Sequence, residues 1–325
     1  MICAPAFNFE LSTYPPTFRP QKRTIAMLQQ YNPQNEAILV NINGKLYPRQ
    51  EARISVFDSA VQGGDAVWEG LRVYDGRIFC LERHLERLQD SAHALAFENV
   101  PDSAAIRKAI FDTLKANGMR DGVHIRLTLT RGEKITSGMD PRLNQSGCTL
   151  IVLAEWKPPV YDAEIELITS SVRRNSPAFL DSKIHHNNLL NNILAKIEAN
   201  HAGADAAIML DQHGFVSEAN DVNLFCTRGG QVCTPHADAC LPGITRSLVL
   251  DICRELGIPA QEKNLSLAEF YTADEAFASG TMGELTRIRA IDGRAIRNTS
   301  GMAVLPRIQA RFREMTAALG TSVGE

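Results

Sequence analysis

One lysine stands at the start of the stretch SKIHHNNLL, residues 182–190, just before a run of polar side chains and a helical apolar pattern. Lys183 therefore follows a predicted strand and precedes a predicted helix, so its side chain should project into the cleft that the helix N-terminus faces. An amine held in such a cleft loses its proton more easily and can attack a carbonyl carbon to form a Schiff base. A solvated loop lysine is the alternative on this stretch alone, and the choice depends on the neighbouring motifs.

Two glycine-bearing motifs and one arginine pair could bind an anion. LPGITR, residues 241–246, places the backbone N–H groups of Ile244 and Thr245 at a helix start, where the positive end of the helix dipole attracts phosphate. SGTMGE, residues 279–284, offers a second loop with Thr281 as a hydroxyl donor. Arg87 lies one helical turn after Arg83 and could add a charge-assisted contact. Taken singly, the three features also fit an ordinary helix cap, a strand-end turn and a solvated helix face.

Glu218 lies at a predicted strand end in GFVSEANDVNLF, residues 214–225, after two apolar residues. A carboxylate buried at such a position needs a cationic partner. A protonated pyridine nitrogen would serve, because a pyridoxal ring must stay positive to act as an electron sink. A surface turn acid is the alternative.

Taken in order along the chain, these residues resemble the fold type IV, or class IV, pyridoxal-phosphate aminotransferases, the family of branched-chain and D-amino acid aminotransferases. The resemblance covers about residues 38 to 315 and includes RHLERL, LPGITR and YTADEAFASGT. It implies pyridoxal 5′-phosphate as cofactor, with Lys183 as the Schiff-base lysine that also carries the proton. It also implies that Glu218 pairs with the pyridinium nitrogen. The resemblance assigns the phosphate to four residues: Arg87, Ile244, Thr245 and Thr281.

The same resemblance points to a substrate pocket in the first half of the chain. In GGDAVWEGLRVY and GVHIRL it implies Trp68, Arg72 and Arg126 as pocket residues, and we add Met282 from the SGTMGE loop. The chain departs from the branched-chain enzymes at two positions where these relatives carry tyrosine. They are His124, in the predicted substrate pocket, and Asn188, which replaces a tyrosine that touches the cofactor ring but can still donate a hydrogen bond to the ring oxygen.

The function that this pattern favours is transamination between an amino acid, with branched-chain-like L-amino acids preferred, and a 2-oxo acid such as 2-oxoglutarate. A D-amino acid or (R)-amine aminotransferase, an aminodeoxychorismate-type lyase and a cofactor-binding protein without activity are the alternatives. The sequence contains no H-E-x-x-H, Walker or G-x-G-x-x-G spacing. The adjacent pair His185 and His186 lacks a third ligand at helical spacing, so we predict no metal site.

Composition bounds the setting. The 325 residues carry a formal charge of −3 and seven cysteines without a Cys-x-x-Cys pair. The small net charge favours a small-molecule partner over nucleic acid or an anionic membrane. The cysteine pattern favours reduced thiols and a cytoplasmic location. The N-terminal stretch lacks the charged and apolar regions of a signal peptide. Sites of the family are completed by a second subunit, which implies a homodimer or higher homo-oligomer.

The order of predicted helices and strands that must position these residues indicates an α+β or α/β fold of two domains. Asn43-Gly44 and Asp75-Gly76 mark hairpins, and apolar spacing predicts helices near 82–97, 102–118 and 187–203, the last with Leu189, Leu190, Ile193, Leu194 and Ile197 on one face. Three short strands are expected within 205–235, followed by a helix straight after Pro242-Gly243. We predict an arm (1–36), a small α+β domain (37–156), a linker (157–162) and a larger β-barrel-like domain with helices (163–325) that binds the cofactor.

Overall fold

The computed structural model describes residues 30–161, 164–297 and 303–323. Most of the predicted N-terminal arm and the last residue of the predicted linker therefore lie outside the described residues. The described part forms two β-sheets with helices packed against them, the mixed α and β architecture that the sequence predicts.

The first sheet is antiparallel throughout and forms from the first half of the chain plus one C-terminal strand. Its strands are β1 (Leu39–Ile42), β2 (Lys45–Pro48), β3 (Ala66–Tyr74), β4 (Arg77–Ile78), β5 (Val123–Thr130), β6 (Thr149–Trp156) and β16 (Thr321–Ser322). Their spatial order is β16-β4-β3-β5-β6-β1-β2. The predicted hairpin at Asn43-Gly44 is confirmed, with φ of 52° and 80° at the two residues, as a two-residue turn of mirror-image type requires.

Three helices accompany this sheet: α1 (Ser59–Gly63), α2 (Leu81–Ala94) and α3 (Ser103–Asn117). Helix α3 begins after Asp102, whose carboxylate caps the Ala105 N–H, and ends at Gly118 with φ of 64°, as predicted. The apolar faces of α2 and α3 cover one face of the sheet, where Leu85, Leu88 and Ile110 are at most 1% exposed.

The second sheet forms from the rest of the chain and is mixed. Its strands are β7 (Glu164–Thr169), β8 (Ala206–Leu210), β9 (Val216–Ala219), β10 (Asn223–Arg228), β11 (Gln231–Thr234), β12 (Ala260–Glu262), β13 (Glu275–Gly280), β14 (Glu284–Ile291) and β15 (Arg294–Ala295). Their order is β12-β11-β10-β13-β14-β7-β8-β9, with β15 paired to β14. The stretch 205–235 forms four strands rather than the predicted three, because the residues after Ala219 turn the chain between two short strands.

Four further helices belong to this half: α4 (Leu190–Ala202), α5 (Ile244–Glu255), α6 (Leu267–Tyr271) and α7 (Leu305–Ala318). Helices α5 and α7 pack on the sheet over Phe225 and Phe277, whose parallel rings lie 4.8 Å apart. The predicted cap of α4 at Asn187 or Asn188 is wrong, since the helix begins after Leu189 without a side-chain cap. Its predicted apolar face is 42–69% exposed at Leu190, Ile193, Leu194 and Ile197, and the helix packs through Ala195 and Ala199 instead.

The change from one sheet to the other falls between β6 and β7, at the predicted linker. Strand β16 returns to pair with β4, so the C-terminus contributes to the first sheet. The domain boundaries themselves stay a prediction. Every helix of the described residues is too short or too polar to cross a membrane.

Asp58 ties α1 to the two central strands of the first sheet. Its carboxylate is fully buried and accepts hydrogen bonds from the Ala60 N–H and from the hydroxyls of Thr130 and Thr149, each at 2.9 Å. Asp58→Ala should lower the free energy of unfolding by about 3 kcal/mol, because a cap is lost and two buried hydroxyls lose their acceptor. The exposed cap variant Asp102→Ala should cost only about 1 kcal/mol. Equal losses in chemical denaturation would contradict this account of Asp58.

Candidate active site

A cavity of about 270 Å³, open to solvent, lies between the two sheets. Its size is close to the lower end of the range for small-molecule sites. The first sheet contributes residues of β3 and β5, and the second contributes the β9–β10 turn, the start of α5 and the β13–β14 loop. We call this cavity the interdomain pocket.

The wall formed by the first sheet follows from strand register. Gly70 lies opposite Arg126, and Arg72 opposite His124, so their side chains share one face of the sheet with Trp68. The guanidinium carbon of Arg126 lies 3.5 Å from the centre of the Trp68 ring, a cation–π contact. His124 Nε2 lies over Gly70, 3.4 Å from where a Cβ would be, which is an ordinary van der Waals distance.

The lysine-bearing segment docks against the free edge of β3. The Trp68 N–H donates to the His185 carbonyl at 2.9 Å, and the Asn187 N–H donates to the Ala66 carbonyl at 2.8 Å. This pairing brings His185 into the interdomain pocket, where its ring lies 4.1 Å from that of Trp68. The position of the segment is therefore fixed by backbone hydrogen bonds.

Lys183 lies outside this pocket in the structure. Its Nζ is 3.4 Å from the carbonyl oxygen of Asp238 and 3.7 Å from the carboxylate of Asp181, and its side chain is 45% exposed. The loop that follows Asp238 leads to Leu241, which lines the pocket. Lys183 thus contacts the loop that leads to the pocket and does not line the pocket itself.

Glu69 is the most buried charge near the pocket, with no solvent exposure. Its carboxylate accepts two hydrogen bonds from Arg87 at 2.7 Å each, and it lies 2.6 Å from His84 Nδ1 and 3.0 Å from His185 Nδ1. Burial alone would raise the pKa of Glu69, but His185 and Arg87 outweigh it and hold the pKa well below its usual value. Glu69 is therefore ionised and joins α2, β3 and the lysine-bearing segment.

Burial depresses the pKa of both imidazoles that face the pocket. Burial lowers the pKa of His185 to about 4, although Glu69 opposes the shift. Burial, with the nearby charges of Lys157 and Arg126, lowers the pKa of His124 to about 3. Burial also lowers the pKa of Arg126 to about 10, so this guanidinium stays charged.

The opposite end of the pocket is suited to an anion. Helix α5 begins after Gly243 without a side-chain cap, so its first N–H groups keep their hydrogen-bonding capacity. Ile244 and Thr245, at this start, line the pocket together with Thr281 and Arg87. A Cβ at Gly243 would collide with Asn223 Oδ1, so any larger residue must displace the Asn223 side chain.

Glu218 faces the same pocket from β9 and is buried. Its Oε1 accepts a hydrogen bond from Arg174 Nε at 2.5 Å, and its Oε2 accepts one from Asn223 Nδ2 at 3.1 Å. Burial raises the pKa of Glu218 even though Arg174 opposes the shift. A further hydrogen-bond donor or positive charge in the pocket would therefore stabilise the carboxylate.

The predicted linker forms part of the pocket wall. Tyr161 donates its hydroxyl proton to Asp221, with both carboxylate oxygens 2.7 Å away, and the Val160 N–H donates to the Met282 carbonyl at 3.0 Å. The Tyr161 ring also packs on Gly283, where a Cβ would lie 2.9 Å from the ring. These contacts join the linker to the β9–β10 turn and the β13–β14 loop.

Most of the residues that the sequence singled out meet in this pocket. Arg72 does not line it but a small neighbouring recess, where its Nη1 donates to the Lys157 carbonyl at 3.2 Å. Lys183 and Asn188 also lie outside the lining, and their assigned roles stay predictions. The predicted residues that line the pocket are Trp68, Arg87, His124, Arg126, Glu218, Ile244, Thr245, Thr281 and Met282.

Sequence reasoning missed the partners that hold these residues. Glu69 could have been found, because it is the only charge in the apolar run AVWEGL. Arg174 and Asn223 gave no such signal, since each is brought to Glu218 by the fold. Within the described residues, no group of three or more potential ligands is arranged to hold a metal ion.

Gly243→Ala tests the close approach of Asn223 to the start of α5. The added methyl group must displace Asn223, which also donates to the Leu241 carbonyl at 2.9 Å, so the variant should lose about 2 kcal/mol of stability. Gly63→Ala is the matched control, since no atom lies within 4 Å of its Cβ position, and it should change stability by less than about 0.5 kcal/mol. Chemical denaturation of both variants measures the difference, and an unaffected Gly243→Ala protein would contradict the predicted clash.

Comparison with known proteins agrees with this geometry. The chain is 56% identical over 293 residues to the branched-chain-amino-acid aminotransferase-like protein 2 of Arabidopsis thaliana, covering 90% of this chain and 52% of the relative. This chain therefore spans about half the length of that plant protein. It is also 37% identical over 286 residues to a putative branched-chain-amino-acid aminotransferase of Methanocaldococcus jannaschii, covering 87% of this chain and 98% of the relative.

A solved structure shares the fold over nearly its whole length. It is the T.th. branched-chain amino acid aminotransferase complexed with N-(5'-phosphopyridoxyl)-L-glutamate, which superposes with a TM-score of 0.80 at 33% identity and covers 87% of this chain and 95% of its own. The family model described as amino-transferase class IV matches residues 66–291, which include the residues that line the interdomain pocket. The chain belongs to the class IV aminotransferase family.

Proposed function

We propose that this protein is a pyridoxal-phosphate-dependent aminotransferase that moves an amino group from an amino acid to a 2-oxo acid. The observation that supports it most strongly is that the buried Glu218 carboxylate and the uncapped start of α5 face one pocket. One feature suits a pyridinium nitrogen and the other suits a phosphate.

The unpaired polar atoms of the pocket fit this cofactor. Ser279 Oγ, which lies in the pocket wall, has no hydrogen-bond partner among the described residues, nor has Nη1 of Arg174 beside Glu218. Buried groups of this kind are normally satisfied, so their presence indicates a missing polar ligand. Four residues would hold the phosphate: Arg87, Ile244, Thr245 and Thr281.

Arg87 would serve the phosphate while remaining anchored. Its Nε and Nη2 are bound to Glu69, and only a long contact of 3.4 Å links Nη1 to the Pro242 carbonyl. An arginine held on one side by a buried carboxylate presents the rest of its donors in a fixed direction. Together with the N-terminus of α5, this arrangement binds a dianion without reorganisation of the protein.

Pyridoxal phosphate, when bound, supplies a ring that withdraws electrons from the substrate α-carbon. Glu218 would keep the ring nitrogen protonated, and Arg174 and Asn223 hold the Glu218 carboxylate in place. Lys183 would carry the proton to and from the α-carbon, as the family resemblance implies. For this role its amine has to turn from the Asp238 carbonyl into the pocket.

The amino donor we favour is a branched-chain-like L-amino acid, and 2-oxoglutarate is a suitable acceptor. The relatives named above are described as branched-chain aminotransferases or as proteins like them. Trp68 and Met282 supply apolar surface in the pocket, and Arg126 supplies a charged donor for a carboxylate. The homodimer and the cytoplasmic location inferred from the sequence stay predictions.

Lys183→Ala should abolish steady-state transamination while the protein still binds pyridoxal phosphate, since it removes the reactive amine but none of the anion-binding groups. Turnover with 2-oxoglutarate and cofactor retention after desalting are the two measurements. Lys108→Ala, at a side chain that is 76% exposed, is the matched control and should leave both unchanged. More than a trace of turnover in the Lys183 variant would show that Lys183 is not the reactive amine.

Arg126→Leu should raise the KM for carboxylated donors and acceptors by roughly 10- to 100-fold, because a charge-assisted contact in the pocket is lost. The KM for a primary amine donor should change far less, since such a donor carries no carboxylate. Arg72→Leu is the structural comparison, because Arg72 belongs to the neighbouring recess and should have a smaller effect on KM. If the KM changes equally for carboxylated and uncarboxylated donors, Arg126 does not bind the substrate carboxylate.

A further inference from the structure

Two imidazoles border the indole of Trp68 inside the interdomain pocket. His185 lies against the ring at 4.1 Å, and His124 approaches from β5 above Gly70. A site for an aliphatic side chain needs apolar walls, because a hydrocarbon leaves hydrogen-bonding groups unpaired. The surface around Trp68 is mixed instead, because two imidazoles and a guanidinium border its apolar ring.

The ring of His185 is held in one orientation and one tautomer. Its Nδ1 lies 3.0 Å from the ionised Glu69 carboxylate, which can only accept, so Nδ1 carries the proton. The backbone hydrogen bond from Trp68 to the His185 carbonyl and the contact with the indole fix the ring plane. The lone pair of the neutral ring is then on Nε2.

His124 adds a second unpaired nitrogen to the same wall. Its Nε2 is buried without a hydrogen-bond partner among the described residues. Lys157, Arg126 and Arg72 surround it with positive charge, and this disfavours a further cation at the imidazole. The two imidazoles therefore place ring nitrogens beside the indole, and the Nε2 lone pair of His185 is the one left for a ligand by the contact of Nδ1 with Glu69.

The geometry points to His185 as a specificity-determining residue that accepts a hydrogen bond from a hydroxyl or amide group on the side chain of the amino donor. This inference rests on the proposed aminotransferase function and on Arg126 as the carboxylate contact. With the carboxylate at Arg126, which stacks on Trp68, the rest of the donor meets the indole and the His185 ring beside it. The pocket would thus admit polar donors as well as the branched-chain donors of the named relatives.

A site that hydrogen-bonds a substrate group discriminates against the isostere that lacks it, because the protein atom is then left desolvated and unpaired. Threonine and valine are such a pair, and asparagine and leucine are another. The wild-type protein should therefore have a higher kcat/KM for the polar member, relative to the apolar member, than a protein with a purely apolar pocket. The discriminating quantity is the ratio of kcat/KM values within a pair.

His185→Phe should lower the threonine-to-valine and asparagine-to-leucine ratios of kcat/KM by about tenfold, since it keeps an aromatic ring on Trp68 but removes the acceptor. His185→Gln should retain a larger part of both ratios, because the amide oxygen can still accept. Cofactor retention and thermal unfolding of each variant check that the fold and the phosphate site persist. Ratios unchanged in both variants would overturn the inference.

A measurement without turnover covers the case in which the phenylalanine variant fails to fold. In ¹⁵N-histidine spectra of the wild-type holoenzyme, the Nε2 signal of His185 should show an unprotonated nitrogen and should shift when 3-hydroxybutyrate binds. Isovalerate, which has no hydroxyl, should shift it much less. Identical shifts with both acids would also overturn the inference, whereas a wild-type protein that transaminates no donor would instead contradict the proposed function.

Discussion

The carboxylate of Glu69 is the interaction on which the arrangement of the site depends. A charge without solvent exposure is costly unless it is neutralised by well-placed hydrogen bonds, and Glu69 receives them from two other pieces of chain. Helix α2 contributes His84 and Arg87, β3 carries Glu69 itself, and the lysine-bearing segment contributes His185. Moving any one partner away would leave the buried Glu69 carboxylate with fewer hydrogen bonds, which is costly. Glu69 therefore holds α2, β3 and the lysine-bearing segment in one relative position.

The interdomain pocket has two ends of different character as a result. At one end, Arg87 and the start of α5 offer donors that suit a phosphate, and Glu218 offers an acceptor backed by Arg174. At the other end, Trp68 lies between a guanidinium and an imidazole, both placed by strand register and edge pairing. The first end agrees with the phosphopyridoxyl ligand named for the T.th. relative.

Glycine positions show how tightly the two halves of the pocket meet. Gly243 permits the contact between the start of α5 and Asn223, and Gly283 permits the Tyr161 ring to lie against the β13–β14 loop. Tyr161 in turn binds Asp221, so the linker is part of the pocket wall as well as a connection between the sheets. At these two points the side chain of Asn223 or Tyr161 lies so close to the glycine that it would have to move to make room for a Cβ.

The sequence by itself determined the family, the cofactor class and the local elements, because these depend on short-range signals. The Asn43-Gly44 turn, the Asp102 cap and the LPGITR start of α5 are set by residues within a few positions of each other. Tertiary structure alone decided the partners of the site, since Glu69 with His185 and Arg174 with Glu218 are 116 and 44 positions apart. It also decided that the apolar residues of α4 face outward and that Arg72 lies beside the pocket, because periodicity shows that a helix or strand has a distinct face but cannot show what packs against it.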